Sequence, residues 1–446
     1  MIIIRLFYCI LLLPIFSSLS NASELSGVQK LGKLLYSDEN LSLNRNQSCQ
    51  SCHSLERLKV TVEVEPGVFR NRKQSSLSFA HPDNIQNNTA VAEGSVVGEF
   101  GSLNIPTTGY AAFIPPFHWD GTRSLWIGGQ FWNGRSKTLE EQASQPFLNS
   151  VEMAMPSKWS VVSRLRENPR YIQKFIHNFD IDLLSIEPYE QAPKNTTPPP
   201  GVFAAFDAMT KSIAEFERSR KFNRFDSKYD YVISGVTEFT EQEQQGFSLF
   251  MSDKAKCSVC HDGSVTTAPD SSLFPSLFSN YAYDNLGLPR NINIPGNPEP
   301  NTGLGGRPEI AAKDPDGSEI GKHKVVSLRN IELTPPYMHN GTLETLEQVV
   351  HFYNTRSVKP NVCLDNNDPS FGINCWPEAE FPNTMNQNEV GNLGLTFDEE
   401  KAIVAFLKTL TDNYPAWGNK FGNVDPNVPK GTSSPFKDVA FPFIQQ

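Results

Sequence analysis

Two stretches of the chain repeat one spacing of glycine, leucine and an aromatic ring. Gly32, Leu35 and Tyr36 stand at i, i+3 and i+4, as do Gly246, Leu249 and Phe250. Residues so spaced share one face of a helix, which predicts a helix at each place. Thr240 and Glu243 form a capping box for the second. Val202–Phe222 is predicted as a further amphipathic helix, with Phe203, Phe206, Ile213 and Phe216 near helical spacing. Leu343, Leu346, Val349, Val350 and Tyr353 mark the apolar face of another, beginning near Thr342. Thr396 and Glu399 cap a last one, whose stripe is Ile403, Phe406, Leu407 and Leu410. Residues 54–101 and 354–392 are polar and poorly periodic, and predict no regular element.

Residues 187–201 are rich in Pro, Asn and Thr and read as a linker. The expected organisation is therefore mainly α: an N-terminal domain over 23–186, the linker, and a C-terminal domain over 202–413. Beyond them, 414–446 is a coil tail packed on the domains. With 446 residues, 38% hydrophobic and 20% charged, the chain suits a soluble protein of two or three domains. Residues 1–22 read as a secretory leader: Arg5 is its basic start, Leu6–Phe16 its apolar run, and Ser20-Asn21-Ala22 its cleavage site. That run is too short to span a bilayer, and no later segment is long enough.

The chemistry lies in Cys49-Gln50-Ser51-Cys52-His53 and its echo Cys257-Ser258-Val259-Cys260-His261. C-x-x-C-H is the signature of covalent c-type haem attachment. The two thiols add to the vinyl groups, and the adjacent histidine becomes the proximal ligand. A zinc half-site or a redox dithiol does not require His after the second Cys, twice. Each half therefore reads as helix, haem loop and further helices, a cytochrome-c-like domain with long loops. Export fits this, because c-type attachment is expected outside the bacterial cytoplasm. Of the seven Cys, Cys9 leaves with the leader and four hold haem, which makes Cys363 and Cys375 a candidate disulfide. The formal net charge of −10 argues against nucleic acid and favours a basic electron-transfer partner. The sixth position on each iron decides function. For the second haem, Tyr353 ends the apolar stripe that packs on the pocket, with Met338 and His351 as competing donors.

Further stretches make the chain resemble the dihaem cytochrome c peroxidase and MauG family. These are Gln130-Phe131-Trp132-Asn133-Gly134-Arg135, Leu139-Glu140-Glu141-Gln142-Ala143, Asn149-Ser150-Val151-Glu152-Met153, Leu328-Arg329-Asn330 and Thr334–Gly341. The resemblance implies two cytochrome-c-like domains with a calcium ion and a tryptophan between the haems. It implies that Trp132 bridges the haems and that Glu152 is the carboxylate beside the N-terminal haem. Gln142 and Pro146 fall at distal-pocket positions, and Asn104, Thr334 and Pro336 at calcium-ligand positions. Tyr353 falls where the peroxidases carry methionine and MauG-type proteins carry tyrosine. Phe69 stands about where many peroxidases place a blocking histidine; the next, His81, is a candidate distal ligand, and an open first haem is expected. The implied activity is reduction of hydrogen peroxide at the His53 haem. Electrons come through the His261 haem from a small cytochrome or copper protein. The alternatives are a MauG-like oxidase acting on side chains of a partner protein and a purely electron-carrying dihaem cytochrome.

Overall fold

The computed structural model describes residues 25–65, 68–264, 266–267, 273–417 and 425–437. The expected leader over 1–22 lies outside them.

Two helical lobes are each built on one close helix pair. In the first, Gly27–Tyr36, opened by a Ser26–Gln29 capping box, packs on Val202–Glu217. In the second, Glu241–Phe250 packs on Phe397–Lys408, and both expected capping boxes are formed. Glycine is what lets each pair close. A Cβ on Gly32 would lie 1.8 Å from the Ser212 carbonyl oxygen and 2.9 Å from Phe216 Cβ. A Cβ on Gly246 would lie 1.9 Å from the Ala402 carbonyl oxygen and 2.9 Å from Phe406 Cβ. The lobes are thus duplicates down to the contact.

This pairing moves the domain boundary. The Val202–Glu217 helix was expected in the second domain, yet Val202, Phe206, Ile213 and Phe216 lie in the first core with Leu31, Leu35, Phe147 and Phe175. Residues 187–201 run over the first lobe, where Trp159 Nε1 donates to the Glu187 carbonyl and the Ala192 carbonyl accepts from Ser160 Oγ. The helix ends at Glu217, short of Phe222. Phe203 is 54% exposed, because helical rotation sets it about 140° round from Phe216.

The second core gathers Leu343, Leu346, Val350, Phe352, Trp376, Ile403 and Phe406. Its Leu346–Thr355 helix starts later than expected, with Thr345 as cap. Leu343 precedes it in an isolated antiparallel bridge to Tyr337, its carbonyl accepting from Tyr337 N at 2.6 Å, and is still fully buried. The 54–101 insertion holds a hairpin, Lys59–Glu65 on Val68–Lys73, and a Pro82–Asn87 helix. Cys363 and Cys375 are disulfide-bonded across a Cα separation of 5.2 Å. Trp376 beside the bridge packs on Phe352, which fastens this loop to the helix carrying Tyr353. In the tail, Val428 and Phe436 are buried against the lobes. Between the lobes, fully buried Arg329 holds both Asp230 oxygens at 2.8 and 2.9 Å.

Candidate haem sites

Each C-x-x-C segment is one helical turn, Cys49–Cys52 and Cys257–Cys260. The next histidine caps the turn: His53 N donates to the Cys49 carbonyl at 2.8 Å and His261 N to the Cys257 carbonyl at 2.9 Å. All four thiols are free, and each loop's two thiols and histidine line a cavity of their own lobe. Burial pushes the Cys52, Cys257 and Cys260 thiols up to about 12 and that of Cys49 higher still. A thiol kept neutral by burial is a poor metal ligand, since the thiolate is the form that binds. His53 Nδ1 faces the Phe79 carbonyl at 3.3 Å and His261 Nδ1 the Phe278 carbonyl at 2.9 Å. Such a bond places the proton on Nδ1 and leaves Nε2 as the lone-pair donor. Burial lowers both rings, His53 to about 4, so the neutral ligand form holds at ordinary pH. Both cavities therefore have the donors a c-type haem requires.

The first pocket is polar on the side facing the Leu139–Leu148 helix. Gln142 and Pro146 line it from that helix, and Arg135 and Glu152 from the loops at its two ends. Glu152 Oε1 accepts from Asn149 Nδ2 at 2.9 Å. Burial raises the Glu152 carboxyl, against the lowering by Arg135 and Asn149. His81 is not among these residues. It caps the Pro82–Asn87 helix, Nδ1 accepting from Asp83 N, and Phe69 lies in the hairpin.

Trp132 lines both cavities. Its Nε1 donates to the Asn104 carbonyl at 2.8 Å and its own carbonyl accepts from Lys324 N at 2.8 Å. Beside it His323 and His339 stack, ring centroids 3.7 Å apart, and both rings stand steeply inclined to the indole, at 77° and 72°. Neither histidine was singled out from sequence, nor was Lys324, whose buried ammonium is pushed down to about 7. Their residue types give no local signal: His323 and Lys324 sit on one short strand, while His339 and Trp132 lie in turns elsewhere in the sequence, and only the fold brings them together.

The second pocket is walled by aliphatic side chains, among them Leu346, Val349, Val350, Ile403 and Leu407. Tyr353 and Met338 both line it. His351 points away: its Nδ1 meets Glu400 at 2.9 Å and its Nε2 meets Lys359 Nζ at 2.6 Å. The Tyr353 hydroxyl makes no hydrogen bond among the described residues. Burial, then the neighbouring Cys260, raises the phenol, so only a bound cation would make it ionise there.

Asn104 and Pro336 come together: Asn104 Nδ2 donates to the Pro336 carbonyl at 2.6 Å and to the Met338 carbonyl at 3.2 Å. The Thr334 hydroxyl instead donates to the Ile331 carbonyl.

Two thiol–histidine loops on duplicated helix pairs, with an indole shared between their cavities, define a two-haem c-type oxidoreductase. The chain belongs to the di-haem cytochrome c peroxidase family: residues 27–238 match the family described as CCP_MauG, Di-haem cytochrome c peroxidase. It is 35% identical to the methylamine utilization protein MauG of Paracoccus denitrificans over 390 residues, 86% of this chain and 88% of that protein. It is 26% identical to the cytochrome c551 peroxidase of Nitrosomonas europaea over 395 residues, 88% of this chain and 82% of that one. Among solved structures, a variant of the diheme peroxidase BthA from Burkholderia thailandensis aligns with a TM-score of 0.64 and 26% identity, covering 86% of each chain. No helix among the described residues is long and apolar enough to cross a membrane.

Proposed function

We propose that the enzyme reduces hydrogen peroxide at the haem of the His53 loop, with electrons drawn through the haem of the His261 loop from a small cytochrome or copper protein. The observation that carries this reading is the position of Trp132 in the walls of both cavities. When bound, the first haem supplies the iron at which peroxide is held and its O–O bond cleaved. Glu152 takes a proton from the near oxygen and returns it to the far one, so that two electrons and two protons turn one peroxide into two waters. The Asn149 amide holds Glu152 in place for that transfer, while Gln142 and Pro146 shape the pocket on the same side. A peroxide assay with a reduced donor protein tests the reading. Turnover lost in His53→Gly with the second haem's spectrum retained supports it; turnover unchanged in that variant contradicts it.

A second reading, a MauG-like oxidase acting on side chains of a partner protein, is favoured by one feature. Tyr353 stands where its phenol reaches into the second pocket. A phenolate ligand is hard and anionic and favours higher oxidation states, unlike a thioether. The leader sequence supports export to the periplasm.

Calcium is proposed at Asn104. Turning the Asn84 amide lets its nitrogen donate to the Thr89 and Val91 carbonyls and sets its oxygen 3.0 Å from Asn104 Oδ1, an opposition of two oxygens that turning Asn104 as well, at the cost of its two hydrogen bonds, would relieve. Asn104 Oδ1 then faces the Pro336 and Met338 carbonyls. Three converging oxygens without a proton among them suit a hard cation, with Thr334 as a further carbonyl donor.

A further inference from the structure

The first lobe buries a carboxyl where the second buries a leucine. The glycine notches fix the register between the lobes, matching Ser212 to Ala402 and Phe216 to Phe406. Ile213 then matches Ile403, and Glu217 matches Leu407. All four line the haem cavity of their own lobe. Packing at this position is therefore satisfied by an aliphatic side chain, yet the first lobe carries Glu217, only 3% exposed.

Among the described residues no hydrogen bond accounts for that acid. Its Oε2 is buried with no hydrogen-bond partner among the described residues. Arg218, next in sequence, is turned to Glu140 at 2.6 Å and Glu215 at 3.1 Å. The other groups that face Glu217 are Tyr36 from the Gly27–Tyr36 helix, Cys49 from the attachment turn and Glu140 from the Leu139–Leu148 helix. Tyr36 is already bonded to Thr108 and to the His53 carbonyl. Burial dominates this balance and lifts the Glu217 carboxyl to about 8. A carboxyl without a hydrogen-bond partner among the described residues, in the wall of a haem cavity, is placed to answer the charge of the haem.

We propose that Glu217 is the proton-holding group of the first haem, carrying a proton when that haem is reduced and releasing it when it is oxidised. As an electron leaves the iron, its added positive charge favours the carboxylate, and the proton leaves Oε for solvent. As the electron returns, the carboxylate takes a proton back. In a low-dielectric cavity this coupling is strong, because no solvent screens the two charges. The second lobe, with Leu407, lacks it. The inference rests on the haem of the His53 loop and extends what that haem does.

Spectroelectrochemical titration of the holoprotein, on either side of pH 8, tests this. The reduced state binds the extra proton, so the wild-type potential of the first haem falls as pH rises through that window. In Glu217→Gln and Glu217→Leu, the latter carrying the residue of the duplicate lobe, the potential no longer varies there. A wild-type slope in both Glu217 variants overturns the proposal. Redox-difference infrared spectroscopy of the wild type is independent of any variant's folding: a protonated carboxyl band must grow on reduction, and its absence also overturns the proposal. A Cys49–His53 peptide without haem mass would instead overturn the haem assignment itself.

Discussion

The indole nitrogen of Trp132 donates to the carbonyl oxygen of Asn104 at 2.8 Å. The Asn104 side chain in turn reaches the carbonyls of Pro336 and Met338, at the edge of the second pocket. The bridge between the cavities and the proposed calcium ligands are thus one connected unit. Chelation of calcium is expected to slow peroxide turnover and leave both haems attached, with recovery on adding the ion back. Trp132→Phe loses the bond to Asn104 and should slow peroxide-driven oxidation of the second haem. Stopped-flow absorbance resolves the two haems, and unchanged rates in both experiments would remove the bridging role.

Glu152 must be ionised to accept a proton, and its carboxyl is raised by burial. The rate should therefore fall on acidification at a pH above the ordinary carboxylate range. A positioned proton-transfer group contributes roughly 10²–10⁴-fold, so Glu152→Gln should lose at least about tenfold and lack that acid limb. A pH–rate profile identical to the wild type would leave Glu152 without a catalytic part.

The helix notches predict stability. A methyl group on Gly32 or Gly246 would meet a backbone carbonyl, Ser212 or Ala402, which no rotamer change can relieve. Overpacking of this kind costs about 1–3 kcal/mol or more, so Gly32→Ala and Gly246→Ala should each lower the thermal midpoint clearly. A midpoint equal to the wild type would mean that the helix pairs are looser than described.

Tyr353 separates the two functional readings. If its phenolate ligates the second haem, the ferric resting enzyme reacts with peroxide without prior reduction. Tyr353→Met then raises the second haem's potential and shifts activity towards a need for pre-reduction. If Tyr353→Phe leaves both haem spectra untouched, Met338, which lines the same cavity, becomes the ligand to test.

The attachment loops were legible because their chemistry is contiguous: Cys, Cys and His within five residues define the site before any folding. The capping boxes Thr240–Glu243 and Thr396–Glu399 were legible for the same reason and are formed. What depends on distant contacts was hidden. The Val202–Glu217 helix follows a proline-rich stretch and was assigned forward, although its partner is Gly32, far back in the chain. One signal did exist: Ser212-Ile213-Ala214-Glu215-Phe216 parallels Ala402-Ile403-Val404-Ala405-Phe406. Read against the glycine repeat, it gives the duplication. His323 and His339 carry no such signal, since only the fold stacks them.

The proposed function requires one haem open to peroxide and a second haem ligated on both faces and linked to it through Trp132. Electron paramagnetic resonance of the ferric holoprotein, before and after one equivalent of peroxide, tests this most directly. The expected result is one high-spin and one low-spin haem signal, both diminished by peroxide. Two low-spin signals that peroxide leaves unchanged would contradict it.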